Sequence, residues 1–256
     1  MDISEKVHIA RTSDSPEVLT KLAKNQDFLV REYVAGNRNT PTEILSELAK
    51  DQKYTVRATV AENQNTPVEI LSDLAKDEDW SVRSRLAQNS SISPEILSFL
   101  AKDENLNVRI SVAENLKTSS KILSDLAKDQ DENVRYYVAR NPHTSVETLS
   151  ELAKDQEKWI RLCVARNPHT LAEDLSILAK DLDEEIRAKV AENPNTSVET
   201  LSELAKDQDF FVRDGAKQNL TLKEAAEVLA EDLFRLEAEK NLSQKQAENE
   251  SAEMSM

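Results

Sequence analysis

The chain has 256 residues, of which 32% are charged and 4% are aromatic, and its formal net charge is -15 at pH 7. Two glycines are too few for a β-rich fold with many tight turns, whereas the abundant Leu, Ala, Glu and Lys favour helices. The acidic balance argues against a nucleic-acid-binding surface, and no apolar run approaches the roughly 18 residues of a membrane span.

The pattern of the N-terminal residues predicts a short cap on the first repeat. Val7, Ile9 and Ala10 repeat the Val-Ala pattern of the later helices but lie one residue out of register. Residues 1–12 are therefore predicted to form a degenerate N-terminal half-repeat. The segment MDISEKVHIARTSDS also lacks the apolar core of a secretory signal peptide, so we expect a cytoplasmic protein without membrane association.

A repeat of 26 residues organises residues 13–220. Leu45, Arg57 and Asn63 recur at this spacing in all eight copies, without insertion or deletion. Periods of 20 to 50 residues are typical of solenoids, in which each unit buries its apolar face only by stacking on its neighbours. The sequence therefore predicts an all-α solenoid of eight two-helix repeats with terminal caps.

Residues 39–64 illustrate the first predicted helix of a repeat. Thr40 and Glu43 have the spacing of a capping box, and Pro41 stands at the first helical position, where its missing N–H costs nothing. A first helix is therefore predicted from about Pro41 to Lys50. Its leucines recur at helical spacing and mark the inward face.

A second helix is predicted from about Tyr54 to Glu62. Val56 and Val60 lie one turn apart and are expected to point into the core. The helix is predicted to stop near Asn63, because in three copies the next residue is a proline, which does not continue a helix.

Two polar positions are predicted to join the repeats. Arg57 and its equivalents are expected to form an Arg–Asp ladder with Asp51 and its equivalents. Only the first copy departs from this pattern, with Asn25 at the aspartate position, as expected at an end of the array. Asn63 and its equivalents are expected to bond loop backbone at the end of the second helix.

The succession of TPxE or TSVE, LSxLAKD and VRxxVAxN resembles the leucine-rich repeat variant family and, more distantly, HEAT-type helical repeats. The resemblance covers residues 13–220. It implies a right-handed superhelix of two parallel layers, one α-helical and one of shorter helices that are either 3-10 or α in character. It also implies that the array serves as an interaction scaffold. Some members of the family carry an iron–sulfur segment on an N-terminal cysteine cluster, but residues 1–12 contain no cysteine, so no such cofactor is expected.

The variable positions of the second helix carry the functional signal. A helical wheel places the positions of Thr55, Ala58 and Glu62, flanked by those of Tyr54 and Thr59, away from the two buried valines. Aromatic residues and arginine are enriched at interaction hot spots. Across the eight copies, these positions hold nine of the eleven aromatic residues, namely Phe28, Tyr33, Tyr54, Trp80, Tyr136, Tyr137, Trp159, Phe210 and Phe211.

Copies five and six hold the densest group of such residues, and we place the centre of a partner site there. Inter-repeat packing is an equally good interpretation for Phe28, Tyr54, Trp80 and Phe210, which share the flank position nearest a neighbouring repeat. The predicted partner-binding residues are Arg85, Tyr136, Tyr137, Arg140, Trp159, Leu162, Cys163 and Arg166.

The C-terminal pattern changes at Thr221. Thr221 and Glu224 have the spacing of a capping box, and apolar residues at helical intervals predict a C-terminal capping helix over residues 221–240. The alternative is that this helix is a docking element. Residues 241–256 are polar and lack periodicity, so a disordered acidic tail is predicted.

The sequence contains no motif for catalysis, a cofactor or a metal. Glycine-rich phosphate loops, nucleophile elbows and His–carboxylate metal motifs are all missing. His143 and His169 occupy equivalent loop positions a repeat apart, too far to share a metal without another ligand. Cys163 is the single cysteine, which excludes an intramolecular disulfide, and Arg166 nearby is expected to favour its thiolate modestly.

The leading hypothesis is a non-enzymatic scaffold that binds a protein or an extended peptide along the second-helix face, through Tyr137, Arg140, Trp159 and Arg166. The alternative is an accessory protein whose concave face cradles a small molecule or cofactor for a partner enzyme. Nucleic-acid binding would require the basic side chains on this face to outweigh the net negative charge of the chain. It is therefore not expected.

Overall fold

The computed structural model describes residues 1–253, apart from the side chains of residues 232, 238, 239 and 242–253. All regular structure in this range is helical. The chain divides into two compact units, Met1–His169 and the part from Thr170 onward. The first unit contains α1 (Ile3–Thr12), α2 (Pro16–Leu22), α3 (Phe28–Gly36), α4 (Thr42–Leu48), α5 (Tyr54–Glu62), α6 (Val68–Leu74), α7 (Trp80–Ala87), α8 (Pro94–Leu100), α9 (Leu106–Glu114), α10 (Ser120–Leu126), α11 (Glu132–Arg140), α12 (Val146–Leu152) and α13 (Lys158–Arg166). The second contains α14 (Ala172–Leu178), α15 (Glu184–Glu192), α16 (Val198–Leu204) and α17 (Phe210–Glu253).

The predicted two-helix repeat is confirmed. The second helix of the reference repeat, α5, has the predicted bounds Tyr54–Glu62, and it is α-helical. Val56, Val60 and Leu45 are fully buried. Within each unit, second helices of successive repeats pack side by side, as α3, α5 and α7 do, so the apolar core runs continuously between repeats.

The first helix is shorter than predicted, and the proposed capping box is wrong. Helix α4 spans Thr42–Leu48, and Pro41 is its N-cap, which makes no side-chain hydrogen bond. The Thr40 hydroxyl instead donates to the carbonyl of Val34, near the end of the preceding second helix. This carbonyl lies in the last turn of α3 and accepts from the Asn37 N–H as well as from the hydroxyl, so Thr40 links the loop to the helix end.

The helical-wheel assignment of the Ala58 position is also wrong. Ala58 and its equivalent Leu162 are both buried, with 8% of their surface exposed. Helix α5 packs against both α3 and α7. A side chain on the flank of such a helix therefore meets a neighbouring repeat, whereas the wheel treats the helix as if only one side were covered.

The predicted Arg–Asp ladder is present. Arg57 Nε and Nη2 donate to the two carboxylate oxygens of Asp77 in the next repeat, over 2.7 and 2.8 Å, while Nη1 donates to the carbonyl of Asp51 in its own repeat. The guanidinium thus joins two successive loops. The same pairing recurs as Arg31–Asp51, Arg83–Asp103, Arg109–Asp129, Arg135–Asp155 and Arg187–Asp207.

The repeated asparagines form a second ladder of hydrogen bonds between repeats. The sequence analysis predicted only the bond that each asparagine makes within its own loop. Asn63 Oδ1 accepts from the N–H of Asn65, as predicted for a loop bond. Its Nδ2 also donates to the carbonyls of Ala35 and Asn37 in the previous repeat, over 2.7 and 3.2 Å. Each asparagine therefore satisfies buried carbonyls across the repeat boundary as well as its own loop.

The two ends of the array differ. Helix α1 packs on α3, and its Ala10 carbonyl accepts from Asn37 Nδ2, so residues 1–12 occupy the place of a second helix. At the other end, α17 is continuous from Phe210 to Glu253. The predicted helix start at Thr221 is therefore absent, and the Thr221 hydroxyl donates to the carbonyl of Lys217. No Pro or Gly follows Asn219 to stop the helix.

The predicted capping stripe on α17 is exposed. Its leucines at positions 222, 229, 233 and 236 all have more than half of their surface accessible. A capping role for residues 221–240 stays a prediction. Disorder was predicted for residues 241–256, whereas the structure continues the helix through residues 241–253, and residues 254–256 lie outside the described residues.

Removal of one ladder arginine is expected to destabilise the fold. Arg83→Ala leaves the Asp103 carboxylate, whose side chain is 7% exposed, without its partner, at a cost of about 2 kcal/mol or more. Urea unfolding followed by circular dichroism measures this change. Arg85→Ala is the matched control, because the Arg85–Glu62 pair is about half exposed and is worth about 0.5 kcal/mol or less. Equal losses from the two variants would contradict a structural role for the ladder.

The ladder carboxylates are also expected to make stability fall in acid. Asp51, Asp103, Asp129 and Asp155 have pKa values below the ordinary 3.8. Burial raises each pKa, but hydrogen bonds from the arginine and a backbone N–H, with the charges of two arginines, outweigh it. A carboxyl whose pKa is lower in the folded state contributes its full stability above its unfolded pKa of about 4, and that contribution is lost as the pH falls through the folded pKa.

The measurement is the urea midpoint at a series of pH values between about 7 and 3. We expect a decline concentrated below about pH 4. Asp103→Asn should be less stable than the native protein at neutral pH and should lose less on acidification, since one of the titrating groups is gone. An unchanged acid response in this variant would contradict the assignment.

Candidate functional site

A cavity of about 430 Å³ opens between the ends of α11 and α13, inside the first unit. Four of the predicted partner-binding residues surround it. The α11 residues Tyr136 and Arg140 form one side, and the α13 residues Cys163 and Arg166 form the other. The remaining lining residues, which the sequence analysis did not assign to the site, are Ala139, Pro142, Asn167, Pro168 and His169.

The repeat geometry brings the two arginines together. Arg140 and Arg166 are the last residues of α11 and α13, so they occupy equivalent places on adjacent parallel elements. The C-terminal end of a helix is electronegative and stabilises a cation placed there. Pro142 and Pro168 follow two residues later and turn the chain into the loops that form the rim.

Tyr136 organises the α11 side of the cavity. Its ring meets that of Tyr137 edge to face, with centroids 5.2 Å apart. The Arg140 guanidinium lies 5.4 Å above the Tyr136 ring, and its Nη1 donates to the Tyr136 hydroxyl over 3.4 Å. This is a cation–π contact with a long hydrogen bond, so it orients Arg140 while leaving most of its donors unused. In the described part of the chain, no carboxylate lies within ion-pair distance of Arg140.

Cys163 lies in the wall of the cavity, and its pKa is raised above the ordinary thiol value. Burial raises the pKa, and this effect outweighs the charges of Arg140 and Arg166 and a hydrogen bond from Tyr136, all of which lower it. Arg166 therefore favours the thiolate as predicted, but desolvation of the sulfur is the largest contribution and decides the direction of the shift.

The other predicted residues lie outside this cavity. Trp159 is 54% exposed on α13, with Lys158 Nζ 4.6 Å from its ring centroid. Tyr137 is half-buried beside Tyr136, and Leu162 is buried, so it is not available to a partner. Arg85 lies on α7, where it pairs with Glu62 over 2.7 Å. The structure therefore separates Arg85 from the group in copies five and six.

Several aromatics of the second helices are exposed, against the packing interpretation. Tyr54, Trp80 and Phe210 expose 48%, 44% and 61% of their surfaces. Phe211, in the first turn of α17, exposes 74%. Solvated positions ordinarily carry charged or small polar residues, and large exposed apolar side chains in a series are typical of interaction surfaces.

Metal-binding clusters and membrane-spanning helices are absent from the residues that the structure describes. No group of three or more His, Cys, Asp or Glu side chains there is arranged to hold a metal ion. No helix in the same range combines the length and the apolar character needed to cross a membrane.

Comparison with known proteins identifies the repeat. The family model described as leucine rich repeat variant matches residues 54–79 and 184–209. The chain is similar to a solved structure titled a leucine-rich repeat variant with a novel repetitive protein structural motif, with 29% identity and a TM-score of 0.65, covering 80% of this chain and 82% of that one. The solved structure of YibA from Escherichia coli shares the fold, with 16% identity, a TM-score of 0.50 and coverage of 85% and 96%. No curated protein matches the sequence.

Cys163 is expected to be alkylated slowly. Because its pKa is raised by burial, the thiolate fraction at neutral pH should lie below that of free cysteine, and reaction with iodoacetamide should be several-fold slower. Arg140→Ala removes a charge that lowers this pKa and should shift the pH–rate profile further to alkaline pH. A shift to acid pH in that variant would contradict the assigned electrostatics.

Proposed function

Because this chain is a helical solenoid built from leucine-rich repeat variant repeats, we propose that it is a non-enzymatic scaffold that binds a protein or an extended peptide along its second helices. In a solenoid, stacking uses the repeated positions, and the variable positions remain for recognition. The repeated Arg and Asn here are committed to inter-repeat ladders. The side chains that differ between copies are therefore the ones that contact the partner.

One observation carries this proposal: exposed Trp159 lies on the same helix as the arginine that borders the cavity. Trp, Tyr and Arg are the residues most enriched at interaction hot spots, since they bury large areas with few rotatable bonds. Tyr137, held edge to face against Tyr136, adds a pre-ordered aromatic surface on α11. An extended chain across α11 and α13 would contact all of these groups.

A small-molecule ligand is the second candidate, and the cavity itself favours it. A volume of about 430 Å³ lies within the range of about 300 to 1,000 Å³ that is typical of small-molecule pockets. The macromolecular partner is preferred because Trp159 and Tyr137 lie outside the cavity lining. Mass spectrometry of the denatured, freshly purified protein distinguishes the two, since a bound small molecule would be released at stoichiometric amount.

Trp159→Ala is expected to remove partner binding without loss of fold. Truncation of a hot-spot tryptophan costs about 2 kcal/mol or more of binding free energy, which corresponds to about 30-fold in affinity. The measurement is quantitative capture from the source lysate by the native protein and the variant, followed by titration with the captured protein.

Trp80→Ala is the matched control, because Trp80 is the other tryptophan, is 44% exposed and lies on α7. The expected result is a partner retained by the native protein and by Trp80→Ala but lost by Trp159→Ala, with unchanged circular dichroism melts. Equal capture by all three proteins would exclude Trp159 from the interface, and the proposed function with it.

A further inference from the structure

The cavity belongs to a series of equivalent grooves between neighbouring second helices. A groove between α3 and α5 is lined by Gly36, Arg38, Thr59, Glu62, Asn63, Gln64 and Asn65. Each of these residues stands four repeats before a residue that lines the cavity. Gly36 corresponds to Arg140, Thr59 to Cys163 and Glu62 to Arg166, so the backbone provides one groove geometry and the variable side chains decide its charge.

From α3 onward, a helix-end carboxylate borders every other such junction that lies within one unit. Glu62 ends α5 and borders the α3–α5 and α5–α7 junctions. Glu114 ends α9 and borders the α7–α9 and α9–α11 junctions. In the second unit, Glu192 ends α15 and borders the α15–α17 junction. At the α11–α13 junction both of these helix ends are arginines, so this junction provides no carboxylate of its own.

The α5–α7 junction shows how a cation pairs with a helix-end carboxylate in such a groove. Arg85 at the α5–α7 junction donates to Glu62 over 2.7 Å. Arg140 has no such acceptor among the described residues, and it contacts the Tyr136 ring and hydroxyl instead. Guanidinium groups form their strongest hydrogen bonds as forked pairs with carboxylates. Arg140 therefore presents donors to the α11–α13 cavity for an oxyanion that no described residue supplies to it.

We propose that the cavity binds an acidic side chain of the partner polypeptide. The carboxylate accepts from Arg140 in the forked geometry, the Tyr136 hydroxyl and Arg166 border it, and the side-chain methylenes lie on Ala139 and the prolines of the rim. This inference rests on the proposed function, since it names the chemistry that the same surface recognises. A Glu side chain occupies only part of 430 Å³, which leaves room for adjacent partner backbone.

The probe is the tetrapeptide Gly-Glu-Glu-Gly, acetylated and amidated so that its only charges are the two carboxylates. Binding is followed through the side-chain Nε–Hε resonance of Arg140 in NMR titrations at low salt, with Gly-Gln-Gln-Gly as the neutral reference. We expect the glutamate peptide to shift this resonance and the glutamine peptide to leave it unchanged. Raising sodium chloride from about 50 to 200 mM should weaken the binding, because added ions screen the charges.

Three variants locate the site. Arg140→Ala should weaken binding of the glutamate peptide about tenfold or more, followed through backbone amides of α13. Arg166→Glu should do the same, and the fold has a precedent for it, since Glu62 holds the equivalent position in α5. Lys121→Ala is the control, because it removes one positive charge from an exposed side chain on α10, the first helix of its repeat. It should leave the affinity unchanged.

Each remaining outcome overturns the inference. If inorganic phosphate or glutarate shifts the Arg140 resonance and the glutamate peptide does not, the cavity takes a free small anion. If the affinity is the same in Arg140→Ala or Arg166→Glu as in the native protein, the cavity is not the acidic-residue site. Should capture of the partner depend on Trp159 but not on these arginines, the scaffold function stands and only the acidic recognition fails.

Discussion

The bidentate ion pair between one repeat and the next is the interaction on which the rest of the structure depends. The arginine of each second helix bonds the aspartate of the following repeat and a loop carbonyl of its own, as Arg57 does with Asp77 and Asp51. Both loops are fixed by one side chain whose donors have a rigid geometry. The spacing and orientation of successive helices therefore repeat, and the 26-residue period of the sequence becomes a regular series of grooves.

This regularity leaves few positions at which the copies can differ. The apolar core and the two polar ladders use the same residues in every copy, so substitution there costs stability. The ends of the second helices are free to vary, as shown by Gly36, Glu62, Arg140 and Arg166 at equivalent places. Two arginines at neighbouring helix ends then produce a cationic cavity on a chain whose net charge is -15.

Much of the fold follows from the sequence because its signals are local or periodic. The second-helix bounds and the ladder partners were predicted correctly from helical spacing and from residues repeated in all copies. The capping box failed because Thr40 bonds a carbonyl of the preceding helix, which lies outside the four-residue pattern. The predicted start of a separate helix at Thr221 was also wrong. A capping signal there does not interrupt a helix that already continues from Phe210.

The sequence by itself determined the repeat and the helix order. It also identified the group of Tyr136, Arg140, Cys163 and Arg166, because residues that differ between copies can be recognised at fixed positions of the 26-residue repeat. The tertiary structure alone decided which side chains in this group are accessible. It buried Leu162, raised the pKa of Cys163 and placed Trp159 outside the cavity. The physical reason is that a helical wheel describes one helix, whereas exposure and charge environment depend on the two neighbours packed against it.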